Sequence, residues 1–181
     1  MVSVPDTPYH DPAAWRVATE VSEWALSMNT PNGPRLLCEL PGFQGTFVLR
    51  RDGLLAGFTL RLPLPESSRP PWLRTPEAPV LHWKSLNLEA DPPPPGGVAG
   101  RARLRLGRRE TFAPVSALCV TIPAARPYLK LVVETVFPSV ALRWPAEAWP
   151  RLRPVTLRLL SEIHPVGIEP GSASIPEQPH G

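Results

Sequence analysis

A chain of 181 residues with a formal net charge of +3 is long enough to bury one core without metal or disulfides, and its overall charge defines no partner. Hydrophobic residues at 43% and six tryptophans exclude wholesale disorder, although 27 prolines and 12 glycines approach a low-complexity composition. No apolar run reaches the roughly 18 to 20 residues of a bilayer span, and residues 1–10 lack a basic start followed by an apolar stretch, so a soluble protein made in a cytoplasm is expected.

Arginine outnumbers lysine 17 to 2, a skew that fits a GC-rich coding genome as well as a binding role. Cys38 and Cys119 lie in apolar runs and read as small core residues, with a disulfide between them left open by sequence separation alone. Prolines fall between short apolar runs, among them Pro41, Pro63, Pro114, Pro123, Pro138, Pro145 and Pro154. Proline has no amide donor and is kept out of central strands, so this placement punctuates a sheet protein.

Residues 1–10 are polar and read as an extended arm. Asp11 and Pro12 then offer a helix cap and first turn, and Val17, Val21, Trp24, Ala25 and Met28 follow at helical spacing until residues 31–34 stop it. A short helix is favoured here, with a strand alternating through Trp15, Val17, Thr19 and Val21 as its competitor. From residue 35 onward strands are expected at 35–40, 46–51, 54–62, 80–88, 101–106, 115–122, 128–137, 140–144 and 155–163. Asp52-Gly53 is a preferred hairpin dipeptide because both residues tolerate positive φ, and counting outward from it pairs Arg51 with Leu54 and Phe47 with Phe58. Residues 63–79 and 91–97 are too rich in proline for a regular element and read as stiff loops.

About nine strands with turn signals every 8 to 15 residues predict an all-β, antiparallel sandwich or barrel, and a single jelly roll suits the count. The domain is expected over residues 11–168, followed by a flexible tail at 169–181.

Phosphate-loop, nucleophile-elbow, paired-cysteine and zinc-protease motifs are absent. His10, His82, His164 and His180 are scattered, and His82 shares a strand face with Lys84 as a solvated residue would. No enzyme, cofactor, metal or small-molecule substrate is therefore expected. Five arginines, Arg101, Arg103, Arg105, Arg108 and Arg109, crowd into nine residues, and the first three alternate with Ala102, Leu104 and Leu106. One face of that strand is cationic and could contact nucleic-acid phosphates or anionic lipid, or could simply face water and blunt an edge. Trp72, flanked by Arg69 and Arg74 in a proline-rich loop, and Trp149 have the composition of interface anchors.

In the strand pattern of residues 35–165, and in its Arg-, Leu- and Pro-rich, Lys-poor composition, the chain resembles the small single jelly-roll capsid proteins of icosahedral bacteriophages. No residue motif carries that resemblance, so no residue role transfers from it. It implies a structural assembly protein of the virion that associates with itself and with other coat proteins, over an anionic surface. The alternative is a binding module for nucleic acid or carbohydrate that uses the Arg101 to Arg109 strand or the loop tryptophans. A cupin-like barrel enzyme whose site converges only in the fold comes third.

Overall fold

The computed structural model describes residues 15–50, 52–74, 76–91, 95–124 and 127–165. The expected arm at 1–10 and tail at 169–181 lie outside the described residues. Ten strands occur among them: β1 (Trp15–Val17), β2 (Glu23–Thr30), β3 (Gly33–Pro41), β4 (Gln44–Leu49), β5 (Leu55–Pro63), β6 (Val80–Ala90), β7 (Gly97–Leu106), β8 (Arg109–Ile122), β9 (Tyr128–Pro138) and β10 (Pro154–Pro165). A helical turn, α1 (Ser139–Leu142), and a 3-10 turn at Trp149–Arg151 separate β9 from β10.

All the strands join one antiparallel sheet in the order β3-β2-β10-β9-β8-β7-β6-β5-β4, with β1 on β10, and the sheet curls into a half-barrel. The all-β antiparallel expectation holds. The strand order is a meander from β4 to β10, however, and not the Greek-key order of a jelly roll, because each strand of that run pairs with the next one in the chain. β3 and β4 lie at opposite edges of the sheet, yet only Gly42 and Phe43 connect them. Two residues span little distance, so the curl brings the two edges together at that end. The indole Nε1 of Trp24 donates to the Gly42 carbonyl at 3.0 Å and ties this closure to the core.

Alternation sends one side of every strand inward. Trp24, Leu26 and Met28 of β2, Trp83 of β6, Phe137 of β9 and Leu157 of β10 are fully buried in one continuous core. Prolines mark strand ends as expected at Pro41, Pro63, Pro138 and Pro154. Pro114 departs from this role and sits inside β8, in register with Arg101. The β8–β9 ladder begins only at Val115, and the Thr135 hydroxyl donates to the Pro114 carbonyl at 2.9 Å, so no ladder bond is lost at the missing N–H.

Two expected elements are corrected. The favoured N-terminal helix is strand β1, a 3-10 turn at Thr19–Val21 and strand β2. Trp24, Leu26 and Met28 alternate as well as they fit a helix, and the free edge of β10 offers that alternation a ladder from Val155 to Leu160. The expected strand at 140–144 is the α1 turn. Arg143 adopts φ +47°, which an extended strand does not allow, and the Trp144 amide returns to the Ser139 carbonyl at 3.2 Å to close the turn.

At the Asp52-Gly53 hairpin Phe47 does pair with Phe58. The turn holds three residues, since Arg50 and Leu54 close it (N to O, 2.8 Å), and a bulge beyond Val48 absorbs the extra residue. Gly53 at φ +81° supplies the left-handed position this turn needs. Both cysteines are free. Cys119 is buried, which pushes its thiol up to about 11, and Cys38, on the distant strand β3, is half-buried.

Candidate anion-binding face

On β7, Ala102, Leu104 and Leu106 are buried in the core and Arg101, Arg103 and Arg105 are exposed on the convex side. Hairpin register then decides what stands beside each arginine. Arg105 lies between His82 of β6 and Glu110 of β8, Arg103 between Lys84 and Phe112, and Arg101 between Asn87 and Pro114. One strand further, Arg61 pairs with His82 and Thr59 with Lys84. Arg61, Lys84, Arg101, Arg103 and Arg105 therefore form one cationic field across three adjacent strands, β5 to β7, with Glu110 of β8 on one side and Glu89 beyond Asn87 at its far end.

Glu110 neutralises little of that field. Its carboxylate lies 3.8 Å from Arg103 Nε with both side chains well exposed, an arrangement worth about 0–1 kcal/mol. His82 is half-buried between the arginines. Burial first, and then the charges of Arg105 and Arg61, hold its imidazole below the ordinary histidine value, so it is neutral at pH 7. Phe112 of β8 borders the field at 47% exposure, with the Arg101 guanidinium 5.6 Å from its ring centroid.

The rest of the convex face is mixed in sign. Glu134 stands opposite Arg158, and Lys130 opposite Glu162. A shallow depression of about 230 Å³ beside the field is lined by Asp91, Ser116, Leu118, Val132 and Glu134 and contains no cation. Charge is thus segregated towards the β5–β8 end of the sheet.

Of the five clustered arginines, three share this face. Arg108 occupies the exposed β7–β8 turn, and Arg109 turns the other way and stacks over the Trp72 ring at 5.1 Å. Among the residues expected as interface anchors, Trp72 donates its indole N–H to the Arg143 carbonyl at 3.1 Å. Arg69 grips both carboxylate oxygens of Glu66 at 2.7 Å and donates to the Glu77 carbonyl at 2.8 Å, which staples the loop at 64–79. Arg74 is exposed, and Trp149 is half-buried with Arg143 over its ring at 5.7 Å. Trp72 and Trp149 therefore meet at Arg143 of the β9–β10 connection, whereas Arg69 is engaged within its own loop.

Comparison with known proteins adds no constraint. No family model matches this chain, and no curated protein does. No cluster of His, Cys, Asp or Glu able to hold a metal occurs among the described residues, and no helix among them is long and apolar enough to cross a membrane.

Sequence reasoning did not assign Arg61, Lys84 or Phe112 to this site. Each bears the signal that could have placed it, a polar or exposed residue between two inward-facing ones: Arg61 between Leu60 and Leu62, Lys84 between Trp83 and Ser85. Missing was the knowledge that β5, β6, β7 and β8 are neighbours in that order.

Proposed function

We propose that the protein is a binding module that holds a nucleic acid by its phosphodiester backbone on the convex face of β5 to β8. The observation that carries this reading is the cross-strand alignment of Arg61, Lys84, Arg101, Arg103 and Arg105, five cations with only Glu110 and Glu89 at their borders. Like charges set side by side repel, and a strip of phosphates relieves that repulsion while releasing its own counterions. Retention on immobilised DNA across a salt gradient tests it. Replacing Arg101, Arg103 and Arg105 with Gln is expected to bring elution to much lower salt, with the slope of log affinity against log salt reduced by about 0.7 for each lost contact to a single strand. A wild-type protein that passes through the column at low salt, or a variant that elutes with it, overturns the proposal.

A self-associating coat subunit is the second proposal, and one feature supports it. β4 is a sheet edge with no charge and no proline among Gln44–Leu49, whereas the other edge, β3, carries Pro34, Arg35, Glu39 and Pro41. An unguarded edge is a template for pairing with a second chain. Light scattering tests this: growth in mass with concentration supports it, and a strict monomer at high concentration overturns it.

A further inference from the structure

Resting on the phosphate-binding reading above, we infer that the nucleic acid is single-stranded and that Phe112 is the platform on which one of its bases stacks. Phe112 is a large exposed aromatic at the β8 border of a cationic field, where solvation alone would place a polar residue. Its neighbours are those of a stacking site: Arg103 stands directly opposite on β7, and the Arg101 guanidinium lies over the ring at 5.6 Å. An arginine so placed holds the ring against the sheet and offers a second flat cation to a base, while its charge stays within reach of the phosphate that follows.

Curvature selects against a duplex. The face is the outside of a curled sheet, and double-stranded DNA is stiff over about 150 base pairs, so it meets such a surface only along a tangent and keeps its bases paired away from Phe112. A single strand bends freely, follows the face from β5 to β8 and can turn a base towards the ring. Ser116 and Glu134 follow Pro114 along the same face away from the arginines, so cationic contacts end on that side of Phe112 and the strand is expected to run towards Arg105 and Arg61.

Fluorescence anisotropy with four probes decides the matter: labelled oligo-dT, an abasic strand and an inorganic polyphosphate matched to it in charge, and the oligo-dT annealed to oligo-dA, which carries more charge than any of them. The wild-type protein is expected to bind oligo-dT more tightly than the abasic strand, the duplex or the polyphosphate at equal salt. Phe112→Leu keeps an apolar side chain at an exposed site and is expected to weaken oligo-dT binding by about 5- to 150-fold without changing polyphosphate binding. Phe112→Trp is expected to restore or raise the preference for oligo-dT. Equal affinity for oligo-dT and the abasic strand, or a Phe112→Leu loss shared by all four probes, overturns the stacking inference and leaves the phosphate reading standing. Failure to bind any of the four, with retention instead on phosphatidylserine vesicles, overturns both.

Discussion

Trp72 and Trp144 clasp two loops by exchanging donors: Trp72 Nε1 donates to the Arg143 carbonyl at 3.1 Å, and Trp144 Nε1 donates to the Ser68 carbonyl at 2.9 Å. The first loop, at 64–79, follows β5, and the second joins β9 to β10, so the clasp binds the cationic half of the sheet to the other half. Trp144 is 1% exposed and buries its ring in the core, while Trp72 lies at the surface beneath Arg109.

Trp144→Phe should therefore cost more than Trp72→Phe. The first leaves the half-buried Ser68 carbonyl without its donor and leaves a void beside the core, an expected loss of about 1–3 kcal/mol. In the second, water can replace the lost donor at Arg143. Because both bonds hold the same pair of loops, the double variant should fall short of the sum, measurable by denaturant unfolding.

Side-chain hydroxyls replace ladder bonds at two places where the sheet is interrupted. The Ser85 hydroxyl accepts from the Phe58 amide at 2.8 Å, just beyond the last β5–β6 ladder pair, Thr59 with Lys84. Thr135 satisfies the Pro114 carbonyl in the same way. Both residues are buried, so Ser85→Ala leaves the Phe58 amide unsatisfied in the core and Thr135→Val leaves the part-buried Pro114 carbonyl without its donor, with an expected loss of about 1–3 kcal/mol each. Thr135→Val keeps the shape of the side chain. A melting temperature unchanged by that substitution would show that the Pro114 carbonyl finds water instead.

These interruptions were the least legible part of the fold. The Phe47–Phe58 pairing is visible because Asp52-Gly53 marks a turn, and the two faces of β7 because Arg101, Arg103 and Arg105 alternate with apolar residues. The bulges beyond Val48 and at Leu26 leave no local mark, because one extra residue changes register only against a partner strand. The placement of β2 beside β10 is a long-range event, and it also decided strand over helix at Trp24. The site suffered the same loss: alternation tells which way Lys84 points, but only sheet order tells that it points out beside Arg103.

His82 should make both stability and binding depend on pH. Its folded value is depressed by burial and by Arg105 and Arg61, so on acidification the unfolded chain takes up the proton first. Stability contributed by the neutral imidazole is present above about pH 6.5, is lost as pH falls through that value towards the folded pKa, and levels off below it. Phosphates on the face favour the imidazolium, so affinity for oligo-dT should rise over the same interval. His82→Gln is expected to flatten both profiles, checked by melting curves and anisotropy at about pH 8 and pH 5. Parallel profiles for variant and wild type would place the titrating group elsewhere.

Glu110→Gln tests the face in the opposite direction, by gain. The carboxylate stands opposite Arg105 on the face where the proposal places the phosphates, and its link to Arg103 is long and exposed. Removing its charge should cost less than about 1 kcal/mol of stability, because surface pairs of this kind contribute little. It also frees the Arg103 guanidinium for a phosphate and removes repulsion from the strand that binds. Affinity for oligo-dT should rise, by up to about fivefold at low salt, and the gain should shrink as salt screens the field. An anisotropy titration at two salt concentrations reads both effects. If affinity falls instead, Glu110 is itself a contact to the bound strand, holding a base edge or the Arg103 side chain in its binding position, and Arg103→Gln would then show a loss of the same size.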